Sequence, residues 1–229
     1  MTTTTDSTNT PNQGTSIDEA LGQTEFGGWI AQNKVPVLSA VILIIVGVFA
    51  FGGSRHMVET KNNEGSNALY GVVSTNLPLF EKGSLSAEDF ASKFMSEWES
   101  VGHFEGGVSF AIEVSDALRA KNKYELAHNI MMKAAESTTS PQALYFVHAR
   151  AAVLAEDLGK KEMAIDHLNK ILSSGAKYLE GKVYLDLGRL YRESGDLEKA
   201  KTSFEWVVEK GKEAEFKKVA RLYLEEMAQ

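Results

Sequence analysis

The sequence predicts an all-α protein, a stack of short helix pairs behind one N-terminal transmembrane helix. Three observations lead there. Residues 35–54, VPVLSAVILIIVGVFAFGGS, carry no charge. A turn–alanine–apolar motif recurs in the second half, with its alanines 37 and then 36 residues apart. No convincing strand pattern appears anywhere in the chain.

The uncharged run comes first. At about 1.5 Å per helical residue it reaches roughly 30 Å, the thickness of a bilayer's hydrocarbon core. Pro36 falls in the first turn, where its missing N–H matters least. Trp29 precedes the run at the depth where interfacial aromatics settle. Residues 1–16 are Thr- and Asn-rich with almost nothing apolar to bury, so they read as a disordered tail. Residues 17–34 form a juxtamembrane segment, with Ile17, Leu21, Phe26, Trp29 and Ile30 spaced loosely like an interfacial helix. The acidic flank and the late start of the run fit an uncleaved anchor better than a secretion signal. Charge alone scarcely orients it. Lys34 stands on one side and Arg55 and Lys61 on the other, a margin of one residue toward a cytoplasmic ectodomain.

Composition narrows the function. The net charge is −7 and there is no cysteine. Disulfides, thiolate metal sites, a thiol nucleophile and a lipid-modified cysteine anchor are excluded. No basic stripe suggests nucleic acid.

Residues 57–107 read as the N-terminal helices of the ectodomain. Ala68, Leu69, Val72 and Val73 make a helical stripe that Pro78 and Gly83 should close. Ser86 caps the next helix, with Asp89 at the capping-box position and Phe90, Phe94, Trp98 and Val101 on one face. Gly102 ends it, and a further helix follows Gly106-Gly107.

Residues 108–229 then repeat. Asn122, Ala127 and Met131 match Gly159, Ala164 and Leu168, and again Gly195, Ala200 and Phe204. Two short helices pack closely only where a small residue admits a large one, which is the physical content of the pattern. Tyr184, Leu187, Gly188, Tyr191, Gly195, Ala200 and Phe204 stand at the spacings of the tetratricopeptide consensus, with Tyr184 in place of its tryptophan. The second repeat is degenerate: His148, Ala151, Ala152 and Ala155 occupy the large-residue positions of its first helix. The stretch from Glu213 to Met227 has Phe216, Val219, Ala220 and Tyr223 on one face and reads as a capping helix. The expected fold is a tetratricopeptide-repeat-like α-solenoid.

Chemistry is sparse. The five histidines, at 56, 103, 128, 148 and 167, show no i, i+4 pair, so no metal site is expected. His148 and His167 could approach across a repeat, but packed or solvated side chains are the expectation. No catalytic constellation, cofactor loop or enzyme activity is expected. The candidate surface is a protein-binding groove lined by first helices: Ile112, Arg119, Phe146, Val153, Leu185, Arg189 and Arg192, with Asp116, Ala149 and Glu156 beside them. An apolar floor with a few charges suits an extended peptide or a partner helix. The carboxylate clamp of some tetratricopeptide proteins is missing. Ile112, Ala149 and Leu185 replace its lysine, and Asp116, Val153 and Arg189 its asparagine.

A short tail, FGGWIAQNKV leading into one span, FEGGVSFAIEVSDAL, NKYELAHNIM and degenerate repeats together resemble the YfgM-like family. That resemblance implies a bacterial inner-membrane protein with a cytoplasmic N-terminus and a periplasmic ectodomain. It also implies an ancillary subunit of the SecYEG translocon, working with a PpiD-like chaperone on translocating polypeptides. The alternatives are an envelope scaffold or assembly factor with a fixed partner, or a cytoplasm-facing membrane adaptor.

Overall fold

The computed structural model describes residue 29 and residues 33–102 and 104–229. The Thr-rich tail 1–16, almost all of the juxtamembrane segment 17–34, and His103 lie outside the described residues. So do some side chains within the first helix, including those of residues 49–59. The chain divides into two compact units, Met1–Met57 and Val58–Gln229.

The described residues are helical, with no strand among them. The first helix, α1, spans Lys34–Glu81 and includes residues 35–54. It runs through Gly52 and Gly53 without a break. Among the described residues no helix is long and apolar enough to cross a membrane. Half the side chains of residues 35–54 are outside that set, so the span stays an expectation. Within residues 42–48 the side chains face outward in succession: Ile42, Leu43, Ile44, Ile45, Val46 and Val48 are each between 49% and 71% exposed.

The helix ends where Pro78 and Gly83 were expected to close it: α1 runs through Pro78, in its last turn, and stops at Glu81, just short of Gly83. A proline lacks one backbone N–H and so removes one intrahelical hydrogen bond, and only three residues of helix follow Pro78. Gly83, at φ 77°, makes the turn, and the Ser84 N–H donates back to the Leu79 carbonyl.

Helix α2, Ala87–Val101, starts at the expected cap: the Asp89 N–H donates to Ser86 Oγ (3.0 Å), and Ser86 Oγ donates to Asp89 Oδ2 (2.7 Å). Its apolar face packs into the N-terminal core with Leu69, Val73 and Phe80 of α1, where Phe80 stacks on Phe90 at 5.0 Å. Gly107, the first residue of α3, lies against Trp98 so closely that a Cβ there would come within 2.9 Å of the indole.

Three helix pairs follow. They are α3 (Gly107–Ala120) with α4 (Tyr124–Glu136), α5 (Pro141–Asp157) with α6 (Lys161–Ser173), and α7 (Glu180–Glu193) with α8 (Leu197–Lys210). The last helix, α9 (Ala214–Met227), packs against α8 and α7. The repeated motif explains the pairing. Asn122, Gly159 and Gly195 all take the left-handed backbone, at φ 60°, 72° and 83°. Glycine and, less easily, asparagine adopt that conformation, and it reverses the chain in a few residues. Ala127, Ala164 and Ala200 are fully buried in each pair, as are Met131 and Phe204, with Leu168 nearly so. In the third pair Gly188 makes the close approach: a Cβ there would meet the Phe204 ring at 2.5 Å. These pairs form an all-helical tetratricopeptide-like array.

Candidate functional site

The expected groove residues do reach the faces of α3, α5 and α7, but they do different jobs there. Phe146 and Val153, on α5, stand in the open at 52% and 41% exposure. Val153 lines a cavity of about 290 Å³ together with Asp116, Arg119, Ala149, Arg150 and Leu154. Phe146 lies nearer the start of α5 and meets Tyr145 edge-on at 5.4 Å. Ile112 and Leu185 are half-buried. Ile112 packs on the N-terminal core, and Leu185 on the cluster around Phe204 and Val207.

The charged members are each paired with an opposite charge on a neighbouring helix of the array. Arg150 reaches Asp116 at 3.2 Å, and Arg119 reaches Asp157 at 2.5 Å, both joining α3 to α5. Arg189 reaches Glu156 at 2.8 Å, joining α5 to α7, and also its own-helix neighbour Glu193 at 3.1 Å. Arg192 reaches Glu226 at 2.8 Å and lies over the Tyr223 ring, joining α7 to α9. The result is a ladder of ion pairs, with one or two rungs at each junction. Hydrogen bonding to Asp157 raises the Arg119 pKa further above its ordinary range. Burial opposes the charge on Arg189, but its bonds to Glu156 and Glu193 outweigh that and raise its pKa as well. The arginines expected to meet a partner are therefore bound to carboxylates of this chain.

The sequence also understated the histidines. His128 of α4 and His167 of α6 approach Nε2 to Nε2 at 2.9 Å, so one ring donates and the other accepts. His148 of α5 stacks on His167 with centroids 5.4 Å apart. A signal for this was present. His167 stands at the phase occupied by Ile130 in the preceding repeat, a core position, and His148 stands at the phase of Tyr184. Among the described residues no group of three or more acidic, histidine or cysteine side chains is arranged to hold a metal ion.

The third pair identifies the repeat. Residues 181–209 match the tetratricopeptide repeat.

That match covers α7 and α8 and stops before α9. Comparison with curated proteins finds no significant match. Among solved structures, a crystal structure of MamA aligns at 17% identity over 57% of this chain and 71% of its own, with a TM-score of 0.40. A second MamA structure aligns at 16% identity over 64% and 73%, with a TM-score of 0.44. MamA from AMB-1 aligns at 23% identity over 64% and 95%, with a TM-score of 0.37.

Proposed function

We propose that this chain is a membrane-anchored protein-interaction module in which the face formed by α3, α5 and α7 takes an extended polypeptide or a partner helix. Val153 lining the 290 Å³ cavity, with Phe146 exposed seven residues before it on the same helix, is the observation that carries this reading. Exposed aromatic and aliphatic side chains beside a concavity are what a peptide's own apolar side chains dock against.

The anchor is residues 35–54. Six large apolar side chains facing outward within seven consecutive positions leave no polar face for water, and hydrocarbon satisfies all of them at once. The resemblance to the YfgM-like family supplies the finer proposal. The array then stands on the periplasmic side of a bacterial inner membrane as an ancillary part of the SecYEG translocon, beside a PpiD-like chaperone, and contacts polypeptides as they emerge.

Two measurements test this. Protease added to spheroplasts should digest residues 58–229 and spare an N-terminal tag; a protected array would sink the periplasmic reading. Photocrosslinkers at positions 146 and 153 should capture translocating polypeptide in living cells, and Phe146→Asp should weaken capture at position 153 while the array still melts cooperatively. A folded Phe146→Asp protein that keeps every crosslink would show that binding occurs elsewhere.

A further inference from the structure

The histidine cluster lies apart from the proposed binding face and asks for its own explanation. His148 and His167 are 8% and 1% exposed, and neither Nδ1 atom has a hydrogen-bond partner among the described residues. His128 is half-buried, with its Nε2 against that of His167. The three rings come from α4, α5 and α6, so they sit where the first helix pair meets the second.

This geometry admits one proton between His128 and His167. With both rings charged, two N–H groups would face each other at 2.9 Å, and a charged His148 would stack a third like charge on His167. The charged groups facing the cluster are Lys160, just before α6, and Asp166 and Lys170 on α6. Asp166 offers little relief, because Lys170 holds its carboxylate at 2.7 Å. The two lysines add positive charge to a site that already resists it.

We propose that the cluster of His128, His148 and His167 is an acid-sensitive latch, which holds the first two helix pairs together when neutral and loosens their junction when it takes up protons. Burial is the largest influence on all three and holds each below the ordinary histidine value of 6.5; His167 is held down to about 4. The unfolded or opened chain binds protons near 6.5, before the closed one does. Stability from the cluster is therefore complete above about pH 6.5 and is lost as pH falls toward 4. Each histidine kept neutral lowers the closed-to-open ratio by up to about tenfold per pH unit within that window. Helix α5 carries His148 on one face and Ala149, Arg150 and Val153 on the other, so loosening the latch reshapes the binding face directly.

The test uses the full-length chain in detergent micelles. Hydrogen exchange, corrected for intrinsic rates, should show α4, α5 and α6 losing protection between pH 7 and 5 while α7 and α8 keep theirs. In His167→Gln and His128→Gln proteins that acid-dependent loss should shrink by about tenfold or more. Imidazole NMR titration of the unmodified chain gives a second readout that needs no variant. Three resonances should titrate clearly below 6.5. If every histidine titrates near 6.5, or protection in α4–α6 is the same at pH 7 and 5, the latch is refuted.

Discussion

The second and third helix pairs share a frame and differ in what fills it. Both turn on a left-handed glycine, Gly159 or Gly195, and both bury an alanine, Ala164 or Ala200. In the third pair Gly188 admits the Phe204 ring, Tyr184 stacks on Trp206 at 3.9 Å, and Tyr223 of α9 stacks on Phe204 at 4.8 Å. In the second pair the same phases hold Ala152, Leu168 and His148. A methyl has moved from the small partner's absence to its presence, and the large partner has shrunk to match. Ser115 and Met131 occupy these phases in the first pair. The constraint falls on the summed volume of two residues, so either residue taken singly is free to vary.

The largest expected effect comes from removing what the third pair leans on. Deleting residues 213–229 uncovers Phe204 and Val207, both fully buried, and cuts the Arg192–Glu226 rung. Each large side chain returned to water costs roughly 1.5–3 kcal/mol. Thermal melting followed by circular dichroism should show α7 and α8 unfolding first, separately from the first two pairs. A single unshifted transition would deny α9 its capping role.

Next comes Gly188→Ala. Alanine gains about 0.5–1 kcal/mol of helix preference over glycine, but its methyl enters space occupied by a fully buried ring. Overpacking costs about 1–3 kcal/mol, so the net change should be a loss, read as a lower denaturant midpoint. A stabilised protein would mean that Phe204 can move aside.

The sharpest comparison transplants one pair's solution into the other. Leu168→Phe alone should destabilise the second pair, because Ala152 leaves no room for a ring. Adding Ala152→Gly should recover part of the loss, with a coupling energy of about 0.5–2 kcal/mol in a double-mutant cycle. Strict additivity would break the idea that these positions act together.

These contrasts also show what could be read before the fold was seen. The turns, the buried alanines and the capped start of α2 were legible, because each depends on local backbone chemistry or on a spacing of one helical turn. The end of α1 before Gly83 was legible for the same reason, although Pro78 itself does not interrupt the last turn. The candidate face was legible only as a set of positions. Phe146 and Val153 were expected there and do stand exposed, but Arg119, Arg189 and Arg192 meet carboxylates about one repeat away. Nothing in the spacing of a single helix reveals such partners. The meeting of His128 with His167 was hidden for the same reason, whereas an approach of His148 to His167 across a repeat was raised by the spacing. His128 and His167 sit at different phases of their repeats, and the packing of α4 against α6 decides that they meet.

The ladder of ion pairs has a consequence for how quickly a ligand is found. Asp116, Glu156, Asp157 and Glu226 each have a guanidinium within 3.2 Å, so little unbalanced charge remains along that face to pull a ligand in from a distance. Encounter there should proceed at the unsteered rate of about 10⁵–10⁶ M⁻¹s⁻¹ and change little with ionic strength. A site that does not attract its ligand from afar gains most by being held where ligands already are. Confinement at a membrane does that, raising local concentration without any added attraction at the site itself.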